Sequence, residues 1–315
     1  MHGTERSIRP DGRFSGAQTQ KEIEPPLAWR PWLRLVDLVL KAAEDRFWDA
    51  AAPLAPSVTD AGVHGVRPED ARQEAPLLHG AVLRLNPRPV RRLVRDLLKA
   101  AADGGETVST LAALASARLD TMALLRAALT HDSGAIADLS AKQGVDPEAL
   151  AVIAHLSAVP LLHACAKRLI GSVPETWMRG DCPICGAWPS LAELRGLERN
   201  RRLRCGRCAS DWLLPVLHCP FCSEIHHDQL GSLLPEGEPQ TRRVDVCKTC
   251  NGYIKTFSVL RPMSLRSLLM EDLGSIELDL VAQERGYARP SLPAYPLAIS
   301  IERVSFVPSV LARWA

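Results

Sequence analysis

The sequence predicts an α+β fold: an all-α N-terminal helical domain, two tandem metal-binding modules and a C-terminal helix. Three observations lead to this prediction. Apolar residues recur at helical spacing through the first half of the chain, four C-x-x-C pairs crowd into the second half, and helical spacing returns after Pro262. Because cysteines, glycines and prolines interrupt the region between Trp177 and Arg261, its regular elements should be short strands.

Length and composition set the outer limits. The chain has 315 residues and a mass of 34.4 kDa, which at about 150 residues per domain is enough for two domains. Hydrophobic residues make up 46% and charged residues 23%, a balance that excludes a wholly disordered chain. The net charge of +2 gives no global attraction to nucleic acid or anionic lipid.

Neither a membrane span nor a secretory leader is evident in the sequence. No run approaches the roughly 18 uninterrupted apolar residues of a spanning helix, and the first 28 residues contain no apolar core of a signal peptide. We therefore expect a soluble cytoplasmic protein without a membrane partner. In a reducing cytosol, closely paired cysteines more often hold a metal than form disulfides.

Five segments are expected along the chain. They are a disordered tail (1–28), a helical domain (29–172), a first tetracysteine metal module (173–215), a second (216–261), and a C-terminal helix with an extended tail (262–315). The loop 52–80 separates the first helices, and helices are expected at 31–51, 87–102, 108–129 and 133–142. A long helix should run from an Asp146 cap to Gly171, with a kink or split near Ala158 caused by Pro160. The best strand candidates are Val244/Val246 and 253–257, and the last helix should span about 264–285.

The candidate metal ligands are eight cysteines in four pairs. They are Cys182, Cys185, Cys205, Cys208, Cys219, Cys222, Cys247 and Cys250. Two such pairs can surround one ion tetrahedrally, because two intervening residues let each pair fold into a tight knuckle. The first and second pairs enclose 19 residues and the third and fourth enclose 24, whereas only 10 separate the second from the third. The spacing therefore favours two consecutive modules with two ions per chain, although a cross-braced pairing stays open.

The residue types leave several alternatives open. Tetrathiolate sites suit zinc and mononuclear iron equally, so the ligands do not decide the metal. Six arginines between Arg195 and Arg207 could contact nucleic acid or an acidic partner, or could instead offset the negative charge of the metal sites. The thiols could also serve redox chemistry. The remaining Cys165 lies on an apolar helical face and is expected to be a buried structural thiol. No known catalytic constellation occurs, so we expect no enzyme.

Several motifs resemble one protein family. The stretch from Trp177 through Cys182-Pro183-Ile184-Cys185-Gly186 to Pro189 resembles the entry motif of formate dehydrogenase accessory proteins of the FdhE type. The resemblance continues through the other three C-x-x-C pairs, Glu271-Asp272-Leu273 and Leu278-Asp279-Leu280, and ends at Glu284-Arg285-Gly286-Tyr287. It therefore covers about 177–289. The N-terminal half matches poorly, and Pro215-Val216-Leu217-His218 replaces the usual basic residue before the third pair.

This resemblance implies an α-helical domain followed by two rubredoxin-like modules, with the last helix packed back on the body. It implies a role in the biogenesis of formate dehydrogenase, in which the protein binds the immature catalytic subunit in the cytoplasm before export. It also implies iron as the metal at the eight cysteines, while the residues themselves leave zinc open. A zinc-ribbon nucleic-acid binder and a rubredoxin-like electron-transfer protein are the rival functions, and a homodimer is not excluded.

Overall fold

A computed structural model describes residues 29–53, 75–102, 114, 119–234 and 241–305. Within these ranges the helices are α1 (Arg30–Ala43), α2 (Arg46–Ala51), α3 (Pro87–Ala102), α4 (Thr121–Leu129), α5 (Ser133–Gln143), α6 (Pro147–Leu169), α7 (Leu265–Gly274) and α8 (Ile276–Glu284). The strands are β1 (Ala81–Leu85), β2 (Leu191–Arg195), β3 (Asn200–Arg204), β4 (Asp211–Leu213), β5 (Leu230–Leu233), β6 (Arg242–Cys247), β7 (Tyr253–Val259) and β8 (Ile299–Arg303). The predicted α+β class is confirmed. The tail 1–28, most of the loop 52–80 and much of the predicted helix 108–129 lie outside the described residues.

Helix α6 is the centre of the helical half. Asp146 caps its N-terminus by accepting the amide of Ala149 at 2.8 Å, and Pro147 occupies the first turn. Helices α1, α2, α3, α4 and α5 all pack against it. The segment Pro147–Ser172 is long and apolar enough to cross a membrane by length and composition, but 72% of its most apolar window is buried inside the protein. Its apolar surface therefore forms the core.

The internal proline does not divide this helix. We predicted a kink or split near Ala158, and the split is wrong, because α6 continues as one helix from Pro147 to Leu169 with Pro160 inside it. Pro160 is itself buried, and Ala158, Leu161 and Leu162 beside it are fully buried. Packing on these neighbours holds the segment in helical conformation although proline removes one backbone hydrogen bond. Tertiary contacts thus outweigh the local preference for a break.

A second difference is a strand in the helical half. Strand β1 pairs in parallel with β8, with Ala81 opposite Ile299 and Leu85 opposite Arg303. The first half is therefore not purely helical, and the expected extended tail contains a strand. Leu83 and Leu85 are buried with the exposed Arg84 between them, but the preceding Val82 is apolar and 45% exposed, so the apolar-polar alternation that marks a strand is incomplete in the sequence.

The two cysteine-rich modules share a single six-stranded sheet. Its strand order is β4-β3-β2-β7-β6-β5, and the parallel pair β2–β7 joins one module to the other. The strand candidates Val244/Val246 and 253–257 are confirmed as parts of β6 and β7. The predicted C-terminal helix is interrupted at Ser275, which separates α7 from α8.

Helices α7 and α8 are fixed to the sheet by a buried ion cluster. The ammonium group of Lys255 on β7 is fully buried and binds Asp272 at 2.9 Å and Asp279 at 2.8 Å. Arg289 binds the same two carboxylates, and the Tyr253 hydroxyl donates to Asp279 at 2.8 Å. Burial alone would raise the pKa of Asp279, but the hydrogen bond from Lys255 and the charge of Arg289 bring it below its usual value. Both aspartates belong to the motifs that carry the family resemblance.

A second buried ion cluster lies at the centre of the sheet. The Glu193 side chain on β2 is fully buried and accepts Arg204 at 2.7 Å, the backbone amide of Met263 at 2.9 Å, and Arg195. Arg204 is only 3% exposed. Each charge is stable there only because its partner is present, since an unpaired buried charge is costly.

The substitution Glu193→Ala should destabilise the protein by about 3–5 kcal/mol, because it leaves the buried Arg204 guanidinium without its counter-ion. Chemical denaturation followed by tryptophan fluorescence measures this change. The matched control is Glu302→Ala, which removes an exposed pair with Arg84 and should cost about 0–1 kcal/mol. Equal denaturation midpoints for the two variants would contradict the assignment.

Candidate metal centres

The first cluster consists of Cys182, Cys185, Cys205 and Cys208. Their sulfur atoms all lie within 4.8 Å of one another. The Sγ atoms of Cys182 and Cys208 are 3.5 Å apart, as are those of Cys185 and Cys205. Four sulfurs bound tetrahedrally at about 2.3 Å would be about 3.8 Å apart, so the arrangement fits one ion with a small adjustment.

The second cluster consists of Cys219, Cys222, Cys247 and Cys250, again with all four sulfurs within 4.8 Å. The Sγ atoms of Cys219 and Cys250 are 3.7 Å apart, and the same distance separates Cys222 from Cys247. Each cluster therefore joins consecutive pairs, which is the pairing favoured by the spacing, and the cross-braced alternative does not occur. Both clusters could hold a metal ion.

All four knuckles have the same local geometry. The residue after the second cysteine of each pair has a positive φ: Gly186 (67°), Ala209 (62°), Ser223 (62°) and Asn251 (53°). In each case the amide of that residue or of the first cysteine closes the turn, as when Gly186 donates to the Cys182 carbonyl at 2.9 Å. Glycine adopts this conformation most readily, as at Gly186. The other three knuckles adopt it without glycine.

The helical half covers the first cluster. His131, just after α4, donates from Nε2 to the carbonyl of Cys185 at 3.0 Å, and His163 on α6 contacts the carbonyl of Cys208 at 3.2 Å. The amides of Leu77 and Leu78 donate to the first knuckle at 2.8 and 3.0 Å. All four sulfurs are fully buried as a result. Burial and the charge of Arg207 lower the pKa of His131 to about 4, so its ring is neutral at pH 7.

Burial also sets the chemistry of the first cluster. Desolvation raises the pKa of the Cys182 and Cys208 thiols well above their usual value, which favours protonated sulfur when no ion is bound. A divalent ion stabilises thiolates, so binding would release protons and would contribute directly to folding. The Ser210 hydroxyl lies 3.1 Å from the Cys182 sulfur and 3.0 Å from the Cys208 sulfur, where it can hydrogen-bond to thiolate.

The second cluster is more open. Cys219 and Cys247 are buried, whereas Cys222 and Cys250, the second cysteine of each pair, are exposed. The Glu224 carboxylate connects the knuckles by accepting the Thr249 hydroxyl at 2.8 Å. The neighbouring His226 and His227 are exposed, and neither belongs to the sulfur cluster.

Three of the six arginines in the cluster form ion pairs with carboxylates inside the protein. Arg195 and Arg202 bind Asp211, and Arg195 and Arg204 bind Glu193. These ion pairs hold three of the six arginines inside the protein, but their partners are carboxylates and not the metal sites. The Trp212 indole is 2% exposed and donates to the Arg179 carbonyl at 2.9 Å, so it belongs to the module core and cannot stack on a base.

Two arginines are enclosed in the protein without a carboxylate partner. Among the described residues, neither Arg201 nor Arg207 forms an ion pair, and the exposed Arg199 forms none either. Arg201 donates to the carbonyls of Leu214 and His218 beside the second cluster, and Arg207 lies within the second knuckle of the first cluster. Burial lowers the pKa of Arg201 to about 10, which still leaves it charged at pH 7. The Arg201 guanidinium interacts electrostatically with Cys219, and Arg207 is held beside His131, which contacts the Cys185 carbonyl. Both positive charges therefore lie near a cluster that would carry a charge of −2 with a divalent ion and four thiolates.

The contact between the two modules was not predicted. Gly180 lies directly on Pro220 of the third knuckle, where an added Cβ would come within 1.6 Å of the Pro220 carbonyl oxygen. Trp188 packs edge-on against Phe221 with ring centroids 5.4 Å apart, and it donates to the Leu292 carbonyl at 2.9 Å. One sequence feature could have indicated this contact: Gly180 lies between Arg179 and Asp181, where no turn is predicted that would require a glycine.

Cys165 lies on α6 and belongs to neither cluster. It is fully buried, and burial raises the pKa of its thiol to about 12. It is therefore a protonated core residue, as expected. Asp181 pairs with Arg179 at 2.7 Å and its carbonyl accepts the Trp177 indole at 3.0 Å, so both of its contacts are local.

Comparison with known proteins supports the resemblance. Residues 216–295 match the family model described as FdhE, C-terminal domain. A protein named Protein FdhE homolog from Aquifex aeolicus is 34% identical over 133 residues, covering 41% of this chain and 46% of the relative. A crystal structure of the FdhE protein from Pseudomonas aeruginosa has a TM-score of 0.51 at 26% identity, covering 87% of this chain and 97% of the other. The resemblance to the FdhE family is confirmed.

The extent of the match differs between sequence and structure. The FdhE homolog of Pseudomonas aeruginosa is 36% identical over 127 residues, which are 38% of this chain and 41% of the relative. The matched stretches thus span less than half the length of these FdhE relatives. The structural match to an FdhE protein extends over most of the chain.

The substitution Gly180→Ala should destabilise the protein by about 1–3 kcal/mol, because the new methyl group meets a backbone carbonyl that cannot rotate away. Thermal unfolding measures the loss. Gly171→Ala is the control, since nothing lies within 4 Å of its added Cβ, and its midpoint should stay close to that of the unmodified protein. A control that falls as far as Gly180→Ala would contradict the proposed contact.

Substituting Arg201 or Arg207 by Met should weaken metal retention at the adjacent cluster by about tenfold, because the change removes a nearby positive charge. The measurement is the concentration of a competing chelator that removes half of the bound metal. Arg199→Met is the control, because Arg199 is exposed and its only described contact is a 3.5 Å hydrogen bond to Ser258. If all three variants lose metal equally, the arginines do not act on the clusters.

Proposed function

We propose that this protein is an assembly factor for formate dehydrogenase, which binds the immature catalytic subunit in the cytoplasm. The observation that carries the proposal is the likeness to FdhE proteins, which in structure extends over 87% of the chain, together with the two four-cysteine clusters. The enzyme client follows from the family resemblance of the sequence motifs.

In this proposal all eight cysteines are metal ligands, with two ions of iron or zinc per chain. The ions supply cross-links between knuckles that have little apolar core of their own. Four protein sulfurs leave no open coordination position for a substrate, in contrast to catalytic zinc sites. We therefore assign the ions to a binding platform and not to an enzyme active site.

The contacts of the arginines favour a protein client over nucleic acid. Arg195, Arg202 and Arg204 are held by Glu193 and Asp211, and Arg201 and Arg207 bind backbone carbonyls. A nucleic-acid surface needs cations that are free to reach phosphates. Of the six arginines in the cluster, only Arg199 is exposed.

Affinity purification of the tagged protein from its own host should recover the formate dehydrogenase catalytic subunit together with two equivalents of metal. Cys182→Ser and Cys219→Ser should each lower recovery of the subunit at least tenfold, because each removes one ligand and frees a knuckle. Cys165→Ser is the matched control, since Cys165 lies outside both clusters, and it should keep both ions.

Circular dichroism of each variant separates loss of binding from loss of the fold. A deletion strain provides the independent test and should lose formate dehydrogenase activity. Normal enzyme activity in that strain, or metal-free native protein that still binds the subunit, would contradict the proposal.

A further inference from the structure

The two clusters differ in what can reach them, and we infer that only the second is a metal-exchange site. In this inference an outside thiolate can replace Cys222 or Cys250 on the second ion while the protein stays folded, whereas the first ion is closed off. The inference rests on the part of the proposed function that places an ion in each cluster. The inference assigns different roles to the two clusters, although both have four cysteine ligands.

The first cluster is closed on every side that the described residues show. Its four cysteines are fully buried and belong to the main hydrophobic core, together with residues of α4 and α6. Hydrogen bonds from His131, His163, Leu77 and Leu78 hold its knuckle backbone against the helical half. A ligand from solvent could reach the ion only after these contacts open, which requires a large local unfolding.

The second cluster lacks such a cover over half of its ligands. Each of its knuckles has one buried and one exposed sulfur, and the exposed ones are Cys222 and Cys250. The neighbouring Ser223, Ile225 and Lys248 are exposed as well. None of the four second-cluster cysteines belongs to the main core, although Phe221 packs against it.

The exchange step leaves the number of metal–sulfur bonds and the total charge unchanged. An incoming thiolate forms one metal–sulfur bond as the bond to Cys222 or Cys250 breaks, so the ion keeps four sulfur ligands and its oxidation state. The proton lost by the incoming thiol ends on the released cysteine. Buried Cys219 and Cys247 keep their bonds, which leaves the ion shared between this protein and a thiol-bearing ligand. Thiolates are the ligands that compete best here, because soft sulfur donors match the site.

The test uses the full chain loaded with zinc and counts the ions before the kinetics begin. Addition of excess dithiothreitol with a chromogenic zinc chelator should release one equivalent quickly and the second at least 100-fold more slowly. In parallel, brief treatment with N-ethylmaleimide and peptide mass spectrometry should label Cys222 and Cys250 ahead of the four first-cluster cysteines.

Two variants show which cluster releases its ion in the fast phase and which in the slow phase. Cys222→Ser should abolish or accelerate the fast phase and leave one slowly released equivalent, while His131→Ala should accelerate the slow phase alone because it removes a contact to the Cys185 carbonyl. Release of both ions at one rate, or loss of the slow equivalent in Cys222→Ser, would overturn the inference and leave the proposed function standing. Native protein with no bound metal would overturn both.

Discussion

Burial of the first sulfur cluster beneath the helices is the constraint on which the arrangement of this protein depends. A knuckle exposes backbone carbonyls that need partners once they are buried. Here the partners come from the helical half, through His131 and His163, and the amides of Leu77 and Leu78 complete the set. The helices and the first module are thereby one folded body with a common core. The position of that module fixes the sheet, and the sheet in turn fixes everything C-terminal to it.

The shared sheet explains how the second module is held in place with only a small apolar core, which includes Val246, Phe257 and Leu278. Strands β2 and β7 join the modules in parallel, and the ion clusters around Glu193 and Lys255 tie the sheet to the segments after it. Charged residues thus add to the apolar packing of this half, whereas the helical half is held by a larger apolar core. Because each buried charge has a specific partner, the arrangement favours a single packing over many similar ones.

The sequence predicted the positions of helices and the pairing of cysteines better than the contacts between distant parts of the chain. Helical spacing located α3, α5 and α6, and cysteine spacing gave the correct pairing of the four knuckles. What escaped prediction depends on residues distant in the chain. Strand β1 is defined by its partner β8, the helix around Pro160 by burial on neighbouring helices, and the different exposure of Cys182 and Cys222 by what covers each module. The six arginines look alike in sequence, and only their contacts separate the ion-paired ones from Arg201 and Arg207.

The pairing of β1 with β8 has a consequence for synthesis on the ribosome. Arg84 and Glu302 at this pairing are 218 positions apart, so the two strands can meet only after all the chain between them has emerged. During translation the early helices must wait with one strand unpaired while both cysteine-rich segments are made. Pairing of β1 with β8 therefore closes a loop of chain that contains both cysteine-rich segments.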